Sequence, residues 1–101
     1  MLNQTILVGR IAKEPTLEKI EGKKKMLITL AVPRNYKNMN GEYDTDFIPV
    51  KLFGNVAENT KEYCKVGDTV GVKGRLSRLN NRNLEVVAEK VTFLASRKEE
   101  E

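Results

Sequence analysis

In the segment DTDFIPVKLFG, residues 44–54, strand alternation puts Ile48, Val50 and Leu52 on one face and Phe47, Pro49, Lys51 and Phe53 on the other. The first set is an ordinary core face. The second shows two phenyl rings with a lysine between them. A ring can stack on any planar base and an ammonium can meet any phosphate, so the pattern suits polyanion binding without sequence preference. Groups of the same kind recur along the chain: Tyr36, Lys37 and Tyr43 in the polar segment before this strand, Arg10 and Arg34 at strand ends, and Lys73 and Arg75 alternating on a later strand. Phe53, at its strand end, could instead join a cluster with the next element, and Tyr43 stands equally between binding and packing. Tyr63 and Phe93 read as core. EGKKKM, residues 21–26, reads either as a phosphate patch or as a solubilising hairpin tip.

These residues need strands to position them, and the chain punctuates itself about every ten residues, the spacing of a small barrel. A first strand is expected over residues 3–12, with Gly9 marking a bend, then a short strand at 17–20 and a strong one in MLITLAVPR, residues 26–34. Asn40 and Gly41 mark a hairpin tip before the opening segment. NVAENTKEYCKVG, residues 55–67, changes to a helical period, with Asn55 and Glu58 spaced as a capping box, Val56, Thr60, Tyr63 and Cys64 on one stripe, and Gly67 as the stop. Strands at DTVGVKGRLSRL and from about Leu84 to Leu94 follow, and Gly71 and Gly74 sit where a tightly curled strand needs them. Leaving the short strand aside, three strands, one helix and two strands is the order of the OB-fold. The expectation is an all-β, five-stranded Greek-key barrel with its helix between strands three and four.

Composition narrows the function. A chain of 101 residues fits one domain, here residues 1–96, with a short charged tail at 97–101. It has no histidine and one cysteine, which removes Ser-His-Asp and Cys-His catalysis, intrachain disulfides and a Cys/His zinc site. No glycine pattern resembles a P-loop or a dinucleotide fingerprint, so no enzymatic activity, metal or cofactor is expected. The net charge is +4. RKEEE at the end contributes two positive and three negative charges, leaving +5 on the body, which suits a polyanion partner. No membrane-length apolar run and no secretory leader pattern is present, so a cytoplasmic location is expected.

The segments LNQTILVGRIAKEPTL, ITLAV followed by RNY, TDFIPVKLFGNVAEN, YCKVGDTVGVKGRL and EVVAEKVTFL resemble, in order and spacing over residues 2–95, the bacterial-type single-stranded DNA-binding proteins (SSBs). The resemblance implies a homotetramer that binds single-stranded DNA in replication, recombination and repair, in the bacterial cytosol. It matches Tyr36, Phe47 and Phe53 to base-stacking positions. Arg10, Arg34, Lys51, Lys73 and Arg75 fall in segments that supply phosphate contacts, with Lys37 beside Tyr36. The stretch around residues 3–8 falls where subunits of the family pair edge to edge, which would also hide an open strand edge. Three departures stand out. SRLNNRNLEV lacks a fourth stacking aromatic, RKEEE lacks the apolar anchor by which the family recruits other proteins, and Pro49 stands inside a strand, where its missing N–H must face an unpaired or bulged position. The first two also fit a different reading, an OB-fold accessory subunit that docks on a replication-initiation partner and binds DNA weakly. Stacking and charge do not tell DNA from RNA.

Overall fold

All the strands of the computed structural model, which describes residues 1–96, join one sheet. Their order along the chain is β1 (Thr5–Ile11), β2 (Thr16–Ile20), β3 (Lys23–Lys37), β4 (Tyr43–Phe53), helix α1 (Gly54–Tyr63), β5 (Thr69–Arg78) and β6 (Leu84–Ala95). In space the order is β1-β5-β6-β4-β3-β2, and β1 also pairs with β3 through Arg10↔Ala31 and Ile11↔Leu30. That second pairing closes β1, β5, β6, β4 and β3 into a five-stranded barrel. β2 lies outside the closure and pairs only with β3. Counting β1 and β2 as one interrupted strand, the helix falls between the third and fourth, as the OB-fold order requires.

Alternation builds the core. Met26, Ile28 and Leu30 of β3, Val50 and Leu52 of β4, Val70 and Val72 of β5 and Val86 of β6 are all buried, with Ile11 closing one end. Helix α1 adds Ala57 and Thr60, and Cys64 at its C-cap is buried with them. Burial pushes the Cys64 thiol up, away from the reactive thiolate. After the helix, Ile11 N–H donates to Asp68 O and Gly67 N–H to Ile11 O, while the buried Asp68 carboxylate accepts from Lys65 N–H at 2.8 Å. These bonds tie the exit of α1 to β1.

Several sequence expectations change. The helix starts at Gly54, with Phe53 as N-cap and no side-chain cap bond, so Asn55 and Glu58 form no capping box. Glu58 instead meets Lys24 of β3 at 2.7 Å. Gly67 does not stop the helix, which ends at Tyr63; it takes its positive φ of 94° in the following turn. Tyr63 and Phe93, expected in the core, are exposed, and together with Val56 they line a groove between α1 and β6. Phe93 is opposite Val70 at the end of the β5–β6 ladder, where the register shifts, so its ring extends beyond the barrel wall. The Asn40–Gly41 tip is where the sequence places it, but the strands run closer to it than the polar stretch suggests. It is a loop over residues 38–42, organised by Asn38, whose Oδ1 accepts from the N–H groups of Asn40 and Glu42.

Gly74 fulfils its expectation and Gly71 does not. A Cβ on Gly74 would lie 2.2 Å from Val87 O, whereas one on Gly71 would make ordinary contact with Leu94 at 3.6 Å. Pro49 pairs with Thr29 without a bulge, one residue before β4 begins to pair with β6, so its missing N–H costs that seam nothing. The tail expectation for residues 97–101 lies outside the described residues. Among the described residues no helix is long and apolar enough to cross a membrane.

Candidate nucleic-acid interface

The register of the barrel gathers the expected groups on the outer face of β3 and β4. Arg10 pairs with Ala31 and Ala31 with Phe47, so the guanidinium-bearing residue and the ring occupy one row with a small residue between. Two strand spacings of ~4.8 Å separate their Cα atoms by ~10 Å, within reach of a nucleotide whose base lies on Phe47 and whose phosphate meets Arg10. A second row runs through Thr16, Leu27, Lys51, Val87 and Arg75, from β2 across to β5. A third holds Glu18, Lys25 and Phe53. Phe47 and Phe53 are 65% and 46% exposed and, six strand residues apart, ~20 Å from each other. A groove of about 440 Å³ between Lys25, Leu27, Thr29 and Lys51 lies on the same face.

The rings are exposed here for a definable reason. Ile48, Val50 and Leu52 take the inward positions of β4, so pleating forces Phe47 and Phe53 outward, and no described element covers them. Phe53 does not turn into a cluster with the helix. Tyr36 and Tyr43, 60% and 57% exposed, stand on the projecting β3–β4 hairpin, with Lys37 Nζ 5.8 Å from the Tyr43 ring centroid.

Not every expected cation joins this face. Arg34 grips Asp46 through two nitrogens, Nη2 to Oδ1 at 2.9 Å and Nε to Oδ2 at 3.3 Å, with Asp44 at 3.7 Å. By alternation these carboxylates lie on the side of β4 opposite Phe47, and Arg34 lies with them. Lys51 is on the ring face, with its Nζ 2.9 Å from Glu85 Oε2. Lys73 and Arg75 are exposed on β5, where Lys73 is opposite Ile6 and Lys90, around the barrel from the rings. Arg10, Lys73 and Arg75 form no ion pair with another described residue. Lys25 of the EGKKKM segment lies on the ring face. Sequence reading missed the half-exposed Leu27 on that face and Glu85; strand parity signalled the first, and nothing local signalled the second.

The Arg34 pair gives a pH prediction. Its hydrogen bond to Arg34 holds the Asp46 carboxyl below the ordinary value of 3.8. A depressed folded-state value stabilises above the unfolded value, and that contribution disappears as pH falls below 3.8 through the lowered one. An NMR titration should find Asp46 titrating below 3.8 in the parent and returning towards it in Arg34→Gln. The same midpoint in both proteins would contradict the pairing.

A closed five-stranded barrel with an aromatic and cationic outer face defines the class: OB-fold proteins that handle single strands. The model of the single-strand binding protein family matches residues 2–94, and the chain belongs to that family. Single-stranded DNA-binding protein 1 of Clostridium acetobutylicum is 41% identical, the match covering 97% of this chain and 98% of that protein. Single-stranded DNA-binding protein B of Bacillus subtilis is 39% identical, covering 93% and 91%. Among solved structures, the small single-stranded DNA-binding protein of Streptomyces coelicolor superposes with a TM-score of 0.71 at 23% identity, covering 92% of this chain and 94% of that one. The single-stranded DNA-binding protein of Thermus aquaticus gives 0.79 at 24% identity, and this chain spans about half its length, 52%. These two likenesses establish the fold.

Proposed function

We propose that the protein binds single-stranded DNA without sequence preference and protects it during replication, recombination and repair, acting as a binding protein rather than a catalyst. The row of Arg10, Ala31 and Phe47, continued by Phe53 on the same strand, carries this reading. Bases stack on Phe47 and Phe53, with Tyr36 reached on the hairpin. Arg10 and Lys51 meet phosphates nearby, and Lys37, Lys73 and Arg75 extend the positive field. Duplex DNA is disfavoured because its bases are already stacked on one another. The test is anisotropy of a labelled oligo-dT, roughly 35 nucleotides long, titrated at several salt concentrations with duplex DNA and RNA as competitors. Tight binding that resists excess duplex is expected. Weak binding that is equal for single and double strands would instead favour the accessory-subunit reading.

The protein acts in the cytoplasm as a homo-oligomer, a tetramer by its family resemblance. Before Arg10, β1 pairs only with β5, so its other edge is open over Thr5–Gly9. Ile6 and Val8 point outward there, 69% and 54% exposed, close to the half-exposed Leu94. An open edge beside an apolar patch suits a second copy. In sedimentation equilibrium the Ile6→Glu, Val8→Glu variant is expected to fall to a smaller species. An unchanged mass would place the subunit contact elsewhere.

A further inference from the structure

We infer that Glu85 is a built-in competitor for DNA phosphate at Lys51, and so sets how tightly and how long the ring face holds a strand. The inference rests on the binding reading above. Lys51 lies four residues after Phe47 and two before Phe53 on the same outward face, so the backbone of a strand stacked on both rings passes over it. Its Nζ is nevertheless already 2.9 Å from Glu85 Oε2, with only 19% and 14% of the two side chains exposed. Such a pair presents almost no net charge to an incoming phosphate. A phosphate must either displace the carboxylate or approach it at close range against repulsion, which low exposure screens only weakly.

Position explains why Glu85 can do this. The β4–β6 seam consists of two parallel pairs, Val50↔Val86 and Lys51↔Val87, and Glu85 stands one residue ahead of the first. The ammonium is reached from the neighbouring strand, across the seam, rather than from its own hairpin. The interface thereby keeps Arg10 free to attract DNA, while the cation between the rings is internally compensated. A protein that coats single strands must also be displaced from them, and a competing carboxylate raises the rate of release.

The test is the oligo-dT titration over a range of salt concentrations with Glu85→Gln, Lys51→Gln and the double variant. Glu62→Gln on the exposed side of α1 serves as a control for net charge. Glu85→Gln is expected to bind roughly fivefold more tightly, mainly through slower dissociation, and to steepen the salt slope by about 0.7, the value of one added phosphate contact on a single strand. Glu62→Gln should move neither quantity appreciably, and adding Lys51→Gln to Glu85→Gln should abolish the gain. Should Glu85→Gln lose its fold by thermal unfolding, Glu85→Thr, which suits a strand, makes the same comparison. Unchanged or weaker binding by the folded variant, with the parent still binding and still dependent on Phe47, would overturn this inference alone. A parent that does not prefer single strands would overturn the binding reading with it.

Discussion

Replacing Phe47 and Phe53 together by alanine is expected to weaken single-stranded DNA binding by on the order of 10²- to 10³-fold and to leave the barrel intact. Each base stacked on an aromatic ring is worth roughly 1–3 kcal/mol, so the loss of two falls within roughly 2–6 kcal/mol. The fold is spared because both rings are solvent-facing, while Val50 and Leu52 on the inward face carry the packing of β4. The two sites are ~20 Å apart, so their effects should add when measured singly. Because stacking is not ionic, the salt slope should barely change while affinity falls at every salt concentration. A folded double variant with undiminished affinity would show that bases do not lie on this face.

The largest effect on stability is expected from Gly74→Val. A Cβ at Gly74 would sit 2.2 Å from Val87 O and 3.1 Å from the Cα of Ala88, and these are backbone atoms that cannot rotate away. The obstruction falls where the β5–β6 register shifts between Lys73 and Gly74, the point at which the barrel curls. Relief requires moving β6 and, with it, the two-pair seam to β4. Overpacking typically costs about 1–3 kcal/mol, and contacts with backbone place this case at or above the upper end, so a fall in Tm of roughly 12–24 °C is expected for a domain of this size. Gly71→Ala, by contrast, meets only Leu94 at 3.6 Å and should unfold near the parent temperature. Equal unfolding temperatures for Gly74→Val and the parent would contradict the closure described here.

That contrast shows what a sequence can and cannot disclose. Alternation in TDFIPVKLF correctly separates the inward Ile48, Val50 and Leu52 from the outward Phe47 and Phe53, because the period of a strand is a local property. Alternation puts Gly74 inward with Val70 and Val72 and Gly71 outward with Lys73. That backbone of β6 crowds Gly74 depends on the register shift between β5 and β6, and no local pattern encodes that. Tyr63 and Phe93 were misplaced for a related reason: their apolar type says core, while the early end of α1 and the register shift near Phe93 carry them past the wall. The compensated cations follow the same rule. Arg34 and Lys51 read as free positive charges until the hairpin brings Asp46, and the seam brings Glu85, within 3 Å.

The most direct measurement is NMR of the aromatic ring protons of the uncleaved chain during titration with oligo-dT. Upfield ring-current shifts confined to Phe47, Phe53 and Tyr36, with Tyr63 and Phe93 unmoved, are expected if bases stack on the outer face of β3 and β4. Shifts confined to Tyr63 and Phe93, with Phe47 and Phe53 silent, would place the strand in the groove between α1 and β6 and contradict the assignment of the interface.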